Sequence, residues 1–308
     1  MIHSKVFIII LQYNNSQDTI ECLESIKELD YPSYEIIVVD NASDEEHYSN
    51  VRLFLESQYK LRRGDLYFEI IANKENTGYS GGNNVGIRRA LERGADYVLI
   101  LNPDSGVPKD LLNKLLEKIE SNEKIGIIAP VTDEGSSFQD KQKVYGGKIE
   151  WLKPELRHIE NPMLSNYLPD DMYIPGNAIL IKKEVFDRTN LFDERYFLYF
   201  EDADFCIRAR QSGFKLVIVN DVMVQHKVSS TTSKLGSAKI LRYHYRNAHL
   251  FNIRFSPPIY KILLPFWSIW IIIKQLLKIC FLPGKRLVSL AILKGVLDFY
   301  LHRLGCIK

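Results

Sequence analysis

Short apolar runs of strand length alternate with helical patterns along the first 130 residues, and this alternation strongly limits the possible folds. The apolar runs cover residues 6–11, 35–39, 67–71, 97–101 and 125–128. Between two of them, apolar side chains recur at helical spacing, at Ile20, Leu23, Ile26 and Leu29. This alternation predicts an α/β fold with a mostly parallel sheet and helices on both faces.

Polar side chains follow three of these predicted strands at the points where the strands end. They are Gln12 and Tyr13 after the first run, Asp40 and Asn41 after the second, and Asn102 and Asp104 after the fourth. Because ligands of parallel α/β sheets bind at the carboxyl ends of the strands, we expect one binding site here. No glycine lies between Leu11 and Ser16, which excludes a P-loop and a dinucleotide G-x-G-x-x-G motif there and weighs against a sugar nucleotidyltransferase.

The pattern changes after residue 130. Residues 135–168 are irregular and are interpreted as loops or a hairpin. Residues 174–181 predict a strand that Pro175, Gly176 and Asn177 interrupt, residues 201–211 predict a helix, and residues 216–219 predict another strand.

Charge divides the 308-residue chain into two parts, although its net charge is only +2. From Lys234 onward there are thirteen basic residues and one acidic residue, Asp298, which gives this part +12 and leaves −10 before it. The near-neutral total excludes a uniformly basic nucleic-acid binder, and we expect no nucleic-acid partner. The basic part is expected to meet an anionic surface.

Two amphipathic helices are predicted within the basic part, over residues 262–282 and 286–304. The uncharged run 262–273 is shorter than the roughly twenty apolar residues of a transmembrane helix. A basic face opposite leucines and aromatic residues is typical of helices that lie in an anionic membrane interface. The alternatives are a helical subdomain packed on the body, a homodimer interface through this region, and a true membrane span.

The cysteines and the first residues bear on location. The four cysteines lie too far apart for a C-x-x-C pattern, and they suggest a reducing, cytosolic setting. The first apolar run is only six residues long and lacks the features of a signal peptide, so we interpret it as a buried strand.

Several motifs in fixed order carry a family resemblance. They are Tyr13-Asn14, Asp40-Asn41-Ala42-Ser43, the glycine-rich residues 76–86, Asn102-Pro103-Asp104, residues 192–197, Glu201-Asp202-Ala203-Asp204 with Arg208, His226, and Tyr245-Arg246-Asn247. Together they resemble family 2 glycosyltransferases of the GT-A type, and within them the bacterial rhamnosyltransferase-like branch. The resemblance implies a GT-A catalytic domain over residues 1–232, with a nucleotide-sugar half of about 1–130 and an acceptor half of about 131–232. Residues 233–308 would form a basic, membrane-associating helical region.

The resemblance implies a donor site for a nucleotide sugar. Asp40 is the candidate for the nucleotide base, because a carboxylate can accept the imide N–H of uracil or thymine; the alternative is a cap on the following helix. Arg246 is assigned to the diphosphate or an anionic lipid, with a solvated helix face as the alternative. The predicted nucleotide-sugar ligands are Gln12, Tyr13, Asp40, Asn41, Asn76, Gly78, Gly82, Asn83, Asn102 and Arg246.

A divalent cation, Mg²⁺ or Mn²⁺, is expected beside the diphosphate. Asp104 is the predicted ligand, since hard oxygen donors suit both ions. Asn102 replaces the first acid of the family's D-x-D motif, and His226 is the residue that could supply the missing ligand. Taken alone, Asn102-Pro103-Asp104 is also an ordinary turn after a strand.

The acids at the start of the predicted helix 201–211 are the catalytic candidates. The resemblance assigns the general base to Asp202, with Glu201 orienting it or contacting the acceptor, and Asp204 is expected to pair with Arg208. Helix capping is the alternative explanation for these acids. Gly176 and Asn177 are predicted to bind the acceptor. The expected reaction is a single displacement in which the acceptor hydroxyl attacks the anomeric carbon with inversion.

The sequence therefore predicts an inverting glycosyltransferase for bacterial cell-surface polysaccharide. We expect dTDP-rhamnose as the donor, with UDP-sugars open, and a lipid-linked oligosaccharide as the acceptor. The expected location is the cytoplasmic face of the inner membrane, in peripheral or monotopic association. The alternative is a catalytically weak GT-A module that binds a glycan or a partner, which the neutral Asn102 would favour.

Overall fold

A computed structural model describes residues 3–59, 67–135, 142–162, 167–227 and 237–307, apart from the side chain of Tyr59. Within these ranges, nine strands form one sheet: β1 (Val6–Gln12), β2 (Tyr34–Asp40), β3 (Phe68–Ala72), β4 (Tyr97–Leu101), β5 (Ser105–Gly106), β6 (Ile125–Asp133), β7 (Lys143–Val144), β11 (Ala178–Lys182) and β12 (Lys215–His226). The sheet order is β3-β2-β1-β4-β11-β6-β12-β5, and β7 pairs with β6. Neighbours β3, β2, β1 and β4 are parallel, as are β6 and β12, while β11 runs antiparallel between β4 and β6. The predicted, mostly parallel sheet is confirmed.

Successive strand side chains point to opposite faces of the sheet, and helices cover both faces. The side chains of Val6, Ile8 and Ile10 pack with α1 (Ser16–Ile26), α2 (Glu45–Tyr59) and α4 (Leu111–Glu120). The side chains of Phe7 and Ile9 belong to the core that also contains residues of α3 (Gly78–Glu92), α5 (Lys183–Thr189) and α6 (Glu201–Gln211). An α/β layer structure buried on both faces follows from this alternation.

A small antiparallel sheet lies within the region that sequence reasoning interpreted as loops or a hairpin. It consists of β8 (Gly147–Glu150), β9 (Glu155–His158) and β10 (Met172–Tyr173), in the order β10-β8-β9. The hairpin alternative is correct for β8 and β9. Trp151, at their connection, stacks on Phe251 of a C-terminal helix at 5.5 Å between ring centroids.

Three helices follow residue 236: α7 (Ser237–Phe255), α8 (Pro258–Phe281) and α9 (Arg286–Tyr300), with a 3₁₀ turn over Pro283–Lys285. Ala248, Leu250 and Phe251 of α7 are buried in the core that includes α6. Asp298 of α9 accepts two hydrogen bonds from Arg242 of α7, at 2.6 and 3.1 Å. The predicted helical extension is confirmed, and α7 packs directly on the body. The expected boundary between residues 232 and 233 lies outside the described residues.

Candidate active site

The ends of β1 and β2 are joined by a buried pair of side chains. Gln12 donates a hydrogen bond to one carboxylate oxygen of Asp40, and the amide of Ser43 donates to the other at 2.9 Å. The Ser43 contact caps the turn after β2, so the capping alternative accounts for one of the two carboxylate oxygens of Asp40. Gln12 Oε1 is buried and has no hydrogen-bond partner among the described residues. Tyr13 is half-buried beside this pair.

Asn41 fastens the end of β2 to the loop that leads into α3. Its Oδ1 accepts hydrogen bonds from Asn73 Nδ2 and from the Thr77 amide, both at 3.1 Å. Its Nδ2 donates to Asn76 Oδ1 at 3.0 Å and to the Gly78 carbonyl at 3.1 Å. Asn41 and Asn76 therefore shape the strand-end loop with their side-chain amides.

The glycines of α3 bring this helix close to its neighbours. Gly78 has φ +75°, and a Cβ there would lie 2.3 Å from the carbonyl oxygen of Phe197. A Cβ on Gly82 would lie 2.3 Å from Leu11 Cδ1. The structure thus gives Gly82 a packing role against β1, and its assignment to the donor stays a prediction. Asn83 donates to the Tyr79 carbonyl at 3.0 Å, and its buried Oδ1 has no partner among the described residues.

The pairing of β5 with β12 places the predicted metal ligands beside each other. Asp104 Oδ1 lies 3.2 Å from His226 Nε2, and the Asn102 amide nitrogen lies 3.3 Å from the same imidazole atom. Both Asp104 Oδ1 and His226 Nδ1 are buried and lack a hydrogen-bond partner in the described part of the chain. These three side chains form one polar cluster, in which the strand-end residues Asn102 and Asp104 meet His226.

Glu134 and His158 extend this cluster, and sequence reasoning did not find them. Glu134 Oε1 lies 3.9 Å from His226 Nδ1, while its Oε2 lies 3.1 Å from His158 Nδ1. Burial raises the pKa of Glu134, but the hydrogen bond and charge of His158 and the charge of His226 outweigh it, so this pKa is lowered. The hydrogen bond to Glu134 raises the pKa of His158, and the charges of Glu134 and Asp202 add to it.

Glu201 and Asp202 begin α6. Asp202 Oδ2 accepts a hydrogen bond from the Gly176 amide at 3.1 Å, and its Oδ1 accepts one from the Ala203 amide at 2.7 Å. Burial raises the pKa of Asp202 to about 6, although these hydrogen bonds and the charge of His158 oppose it. Burial, and then the charge of Asp202, raise the pKa of Glu201 well above its usual range. Glu201 Oε2 is buried without a partner among the described residues.

Asp204 points away from this pair and belongs to a structural network. Its carboxylate pairs with Arg208, as predicted, and also with Arg254 of α7. Tyr196 donates a further hydrogen bond to it at 3.0 Å. Asp204 therefore ties α6 to α7.

A cavity of about 430 Å³ brings the predicted residues of the two halves together. Six of them line it: Asn102, Gly176, Asn177, Glu201, Asp202 and His226. Glu134 and His158 line it too, with Tyr79, Tyr173 and Tyr199 among its aromatic residues. A carboxylate pair thus shares one cavity with the polar cluster at Asn102 and His226. The other predicted donor residues lie outside this lining.

Gly176 and Asn177 have defined structural contacts at the cavity. The Gly176 carbonyl accepts a hydrogen bond from the Tyr79 hydroxyl, and a Cβ on Gly176 would lie 2.7 Å from that oxygen. Asn177 Nδ2 donates to Thr132 Oγ1 at 3.0 Å. A side chain at residue 176 would therefore force the Tyr79 hydroxyl to move.

Arg246 does not lie on a solvated helix face, so that alternative is wrong, while its assignment to the diphosphate or an anionic lipid stays a prediction. Its side chain is fully buried, and its guanidinium donates to the carbonyl oxygens of Tyr196 at 2.9 Å and Gly305 at 2.6 Å. A lone basic residue in a polar segment gives no sequence signal for such burial.

The family model for glycosyl transferase family 2 matches residues 7–188, which include the strand-end residues and the Gly176 turn. The chain belongs to glycosyl transferase family 2. Two curated relatives of this glycosyltransferase match most of its length. The low-salt glycan biosynthesis hexosyltransferase Agl10 of Haloferax volcanii is 28% identical over 279 residues, covering 87% of this chain and 84% of that protein. The dTDP-rhamnosyl transferase RfbF of Shigella flexneri is 24% identical over 256 residues, covering 81% and 79%.

A solved structure shows the fold of this glycosyltransferase. The mannosyltransferase PcManGT from Pyrobaculum calidifontis, in complex with GDP-Man and Mn²⁺, aligns with a TM-score of 0.62 at 16% identity. The alignment covers 97% of this chain and 88% of that one, so it includes the C-terminal helices. The fold is GT-A, as the resemblance implies.

The cluster at Asp104 and His226 fits part of a cation's coordination shell. Two ligand atoms at neighbouring positions around Mg²⁺ or Mn²⁺ lie about 3 Å apart, and the buried Asp104 Oδ1 and His226 Nε2 are separated by 3.2 Å. Among the described residues, no group of three or more His, Cys, Asp and Glu side chains forms a metal cage. The protein would therefore supply a few ligands, with phosphate and water completing the shell.

Proposed function

We propose that this family 2 glycosyltransferase transfers a sugar from a nucleotide diphosphate to an acceptor hydroxyl with inversion. The observation that carries the proposal is the shared cavity, in which Asp202 meets the cluster formed by Asn102 and His226. A general base works best when its pKa lies near the operating pH, and burial raises the pKa of Asp202 to about 6. Asp202 is then ionised at neutral pH and still a useful proton acceptor.

Each side chain of the cavity has a role in this proposal. Asp202 accepts the proton of the attacking hydroxyl, and the amides of Gly176 and Ala203 hold its two oxygens in place. Glu201, in its protonated form, donates a hydrogen bond that orients the acceptor. Asp104 and His226 would hold the divalent cation, which when bound offsets the negative charge of the departing diphosphate.

We propose dTDP-rhamnose as the donor, because a related protein carries the name dTDP-rhamnosyl transferase. The buried Gln12–Asp40 pair, with Gln12 Oε1 unpartnered among the described residues, is the proposed base-recognition point. A thymine or uracil imide N–H can donate to either acceptor oxygen. A panel of dTDP-, UDP- and GDP-sugars therefore belongs in the assay.

The assay measures nucleoside diphosphate release from each donor with Mn²⁺ or Mg²⁺ and a lipid-linked acceptor extract. We expect acceptor-dependent release, strongest with dTDP-rhamnose, and a loss of about 10²–10⁴-fold in Asp202→Asn. Asp170, whose side chain is fully exposed, provides the matched control Asp170→Asn with unchanged release. Donor binding without release from any donor would instead favour a binding module, and full activity in Asp202→Asn would refute the proposed base.

We also propose that α8 rests in an anionic membrane interface, where a lipid-linked acceptor would be found. Large apolar side chains are exposed at helical spacing along one face: Ile259, Ile262, Phe266, Ile269, Trp270, Ile273, Leu276, Leu277 and Phe281. Soluble monomers rarely expose so large an apolar patch. The net charge of +12 from Lys234 onward adds attraction to anionic lipid.

The packing of α8 favours an interfacial position over a span. Pro258–Phe281 is long and apolar enough to cross a membrane, and it is the one such helix in the described ranges. Leu264, Ser268, Ile271 and Gln275, however, are buried on its opposite face. Since α8 contacts α7 and α9, and α7 packs on the catalytic core, this face is already covered by protein. The cytoplasmic face of the inner membrane remains our proposed location.

Liposome flotation tests the membrane proposal with full-length protein. Phe266 is 66% exposed in the protein. Phe266→Glu should weaken binding to phosphatidylglycerol vesicles several-fold, because a charge would replace an apolar side chain that inserts into the lipid interface. Leu53→Glu on α2, where the residue is 56% exposed, is the matched control and should float like the wild type. Equal flotation of both variants would remove the assignment, and a dimer broken by Phe266→Glu would identify a protein partner instead.

A further inference from the structure

The loop before the catalytic carboxylates is held in an unusual backbone conformation. Phe197, Tyr199 and Phe200 have φ values of +62°, +71° and +75°. For residues with a side chain, the left-handed region is energetically unfavourable. Such a segment persists only when its surroundings determine it. The loop ends at Glu201, so its conformation sets where Glu201 and Asp202 lie.

Asn247 of α7 makes the contacts that hold this loop. Its side-chain nitrogen donates to the carbonyl oxygens of Tyr196 at 2.9 Å, Leu198 at 2.7 Å and Tyr199 at 3.1 Å. The residue is fully buried, so water does not replace these bonds. One side-chain amide, which carries two hydrogens, thus contacts three carbonyl oxygens between residues 196 and 199.

Arg246 orients Asn247 and adds its own hydrogen bonds to the loop. Its Nε donates to Asn247 Oδ1 at 2.9 Å, which points the Asn247 nitrogen at the loop. Its guanidinium also joins the Tyr196 carbonyl to the Gly305 carbonyl. Arg246 and Asn247 therefore link the loop to the last described residues.

The far side of the loop is fixed by α3. The Tyr79 amide donates to the Phe197 carbonyl at 2.7 Å, and the Tyr79 hydroxyl donates to the Gly176 carbonyl. The Gly176 amide in turn donates to Asp202. Asp202 is thus held by a chain of contacts that passes through the loop and returns through Tyr79 and Gly176.

We infer that Asn247, oriented by Arg246, is a positioning residue that places Asp202 for proton transfer. This inference rests on the proposed function of Asp202. Asn247 lies 45 residues after Asp202 and outside the residues matched by the family model. In this account α7 completes the active site as well as supporting the helices that follow.

Asn247→Asp is the sharpest test, because aspartate keeps the shape and the bond from Arg246 but cannot donate to the loop. We expect kcat to fall about 10- to 100-fold with the KM for the donor changed less than about twofold, since a misplaced base affects chemistry and not donor binding. Amide hydrogen exchange in residues 196–201 should accelerate. Asn252→Asp is the matched control: this buried asparagine of the same helix donates to the Trp151 carbonyl at 3.3 Å, away from the loop.

The outcomes separate the inference from the proposed function. Unchanged kcat in Asn247→Asp, or equal losses in both variants in proportion to their thermal stability, would overturn the positioning role. If the wild type releases no diphosphate from any donor, the proposed function fails, and hydrogen exchange alone then judges whether Asn247 holds the loop. If Asn247→Asp is insoluble, Asn247→Ala is measured in the same way.

Discussion

Burial acts on Asp202 and Glu201 together, and this pair controls the expected pH dependence. Since folding raises the pKa of Asp202 to about 6, the folded chain holds this proton more tightly than the unfolded chain does. The contribution of Asp202 to stability is therefore greatest below its unfolded pKa and is lost as the pH rises through about 6. Under the proposed function, some stability at neutral pH is given up to keep a base at the cavity.

The same shift predicts an acidic limb in the activity profile. Asp202 must be ionised to accept a proton, so kcat/KM should rise about tenfold per pH unit below about pH 6 and level off above it. Initial rates of nucleoside diphosphate release from about pH 4.5 to pH 8 measure this limb. Asp170→Asn should keep the limb, and a profile that is flat through pH 6 would contradict the assignment of Asp202.

The sequence predicts which individual residues form the candidate site better than it predicts the side chains that surround them. Asp104, His226 and Asp202 lie in the clusters that the motifs predict, because strand ends and helix starts fix their positions. Glu134 and His158 were missed, since their contact joins the residue after β6 to the last residue of β9 and forms only in the folded chain. The burial of Arg246 could not be inferred for a similar reason.

Among the elements, α3 depends on glycine in two physically different ways. Gly78 combines a positive φ with a close approach to the Phe197 carbonyl, whereas Gly94, just after the helix, has φ +82° and open space around its Cβ position. Gly78 therefore faces a steric and a conformational demand, and Gly94 faces only the conformational one.

This contrast gives a paired prediction for stability. Gly94→Ala should lower the free energy of unfolding by about 1 kcal/mol, the cost of a side chain in the left-handed region. Gly78→Ala should cost about 1–3 kcal/mol more, because the new methyl group must displace the loop at Phe197. Urea denaturation of both variants measures the difference, and equal losses would show that the approach to Phe197 is not limiting.

The long apolar runs allow the central strands to be predicted, but the strands of the small sheet are too short to be recognised in the same way. The first four predicted strands match β1 to β4 within a residue, since period and length agree. The predicted strand at 216–219 is part of the longer β12, whose register shifts between Val219 and Met223 interrupt the pattern. Strands β8 to β10 have two to four residues each, which carry little periodic signal.

For the whole molecule, the charge division of the sequence does not coincide with a division of the core. The basic region includes α7, whose Ala248 and Phe251 are buried in the core with Phe200 and Phe205 of the body. Net charge can be counted from the sequence, but the partner of an apolar helix face cannot. Side chains of the proposed membrane region and of the proposed catalytic region thus pack into one common core.

A truncation after Lys227 tests whether the catalytic body depends on its packing against α7. Removal of α7 would expose the apolar surface around Phe200 and leave the loop carbonyls without Asn247, so we expect loss of cooperative thermal unfolding and of donor binding. Circular dichroism and calorimetry with the nucleoside diphosphate measure the two effects. A stably folded fragment that binds the nucleotide would show that residues 1–227 form an independent domain.

The contact between Asn247 and the loop also orders events on the ribosome. Asp202 is synthesised 45 residues before Asn247, so a nascent chain carries the proposed catalytic carboxylates well before it has the Asn247 amide that holds the loop. Without these contacts we expect the strained loop to lose its left-handed conformation during that interval. We therefore expect the growing polypeptide to remain inactive until its final helices emerge, when the chain gains competence for transfer together with the surface by which it would reach the bilayer.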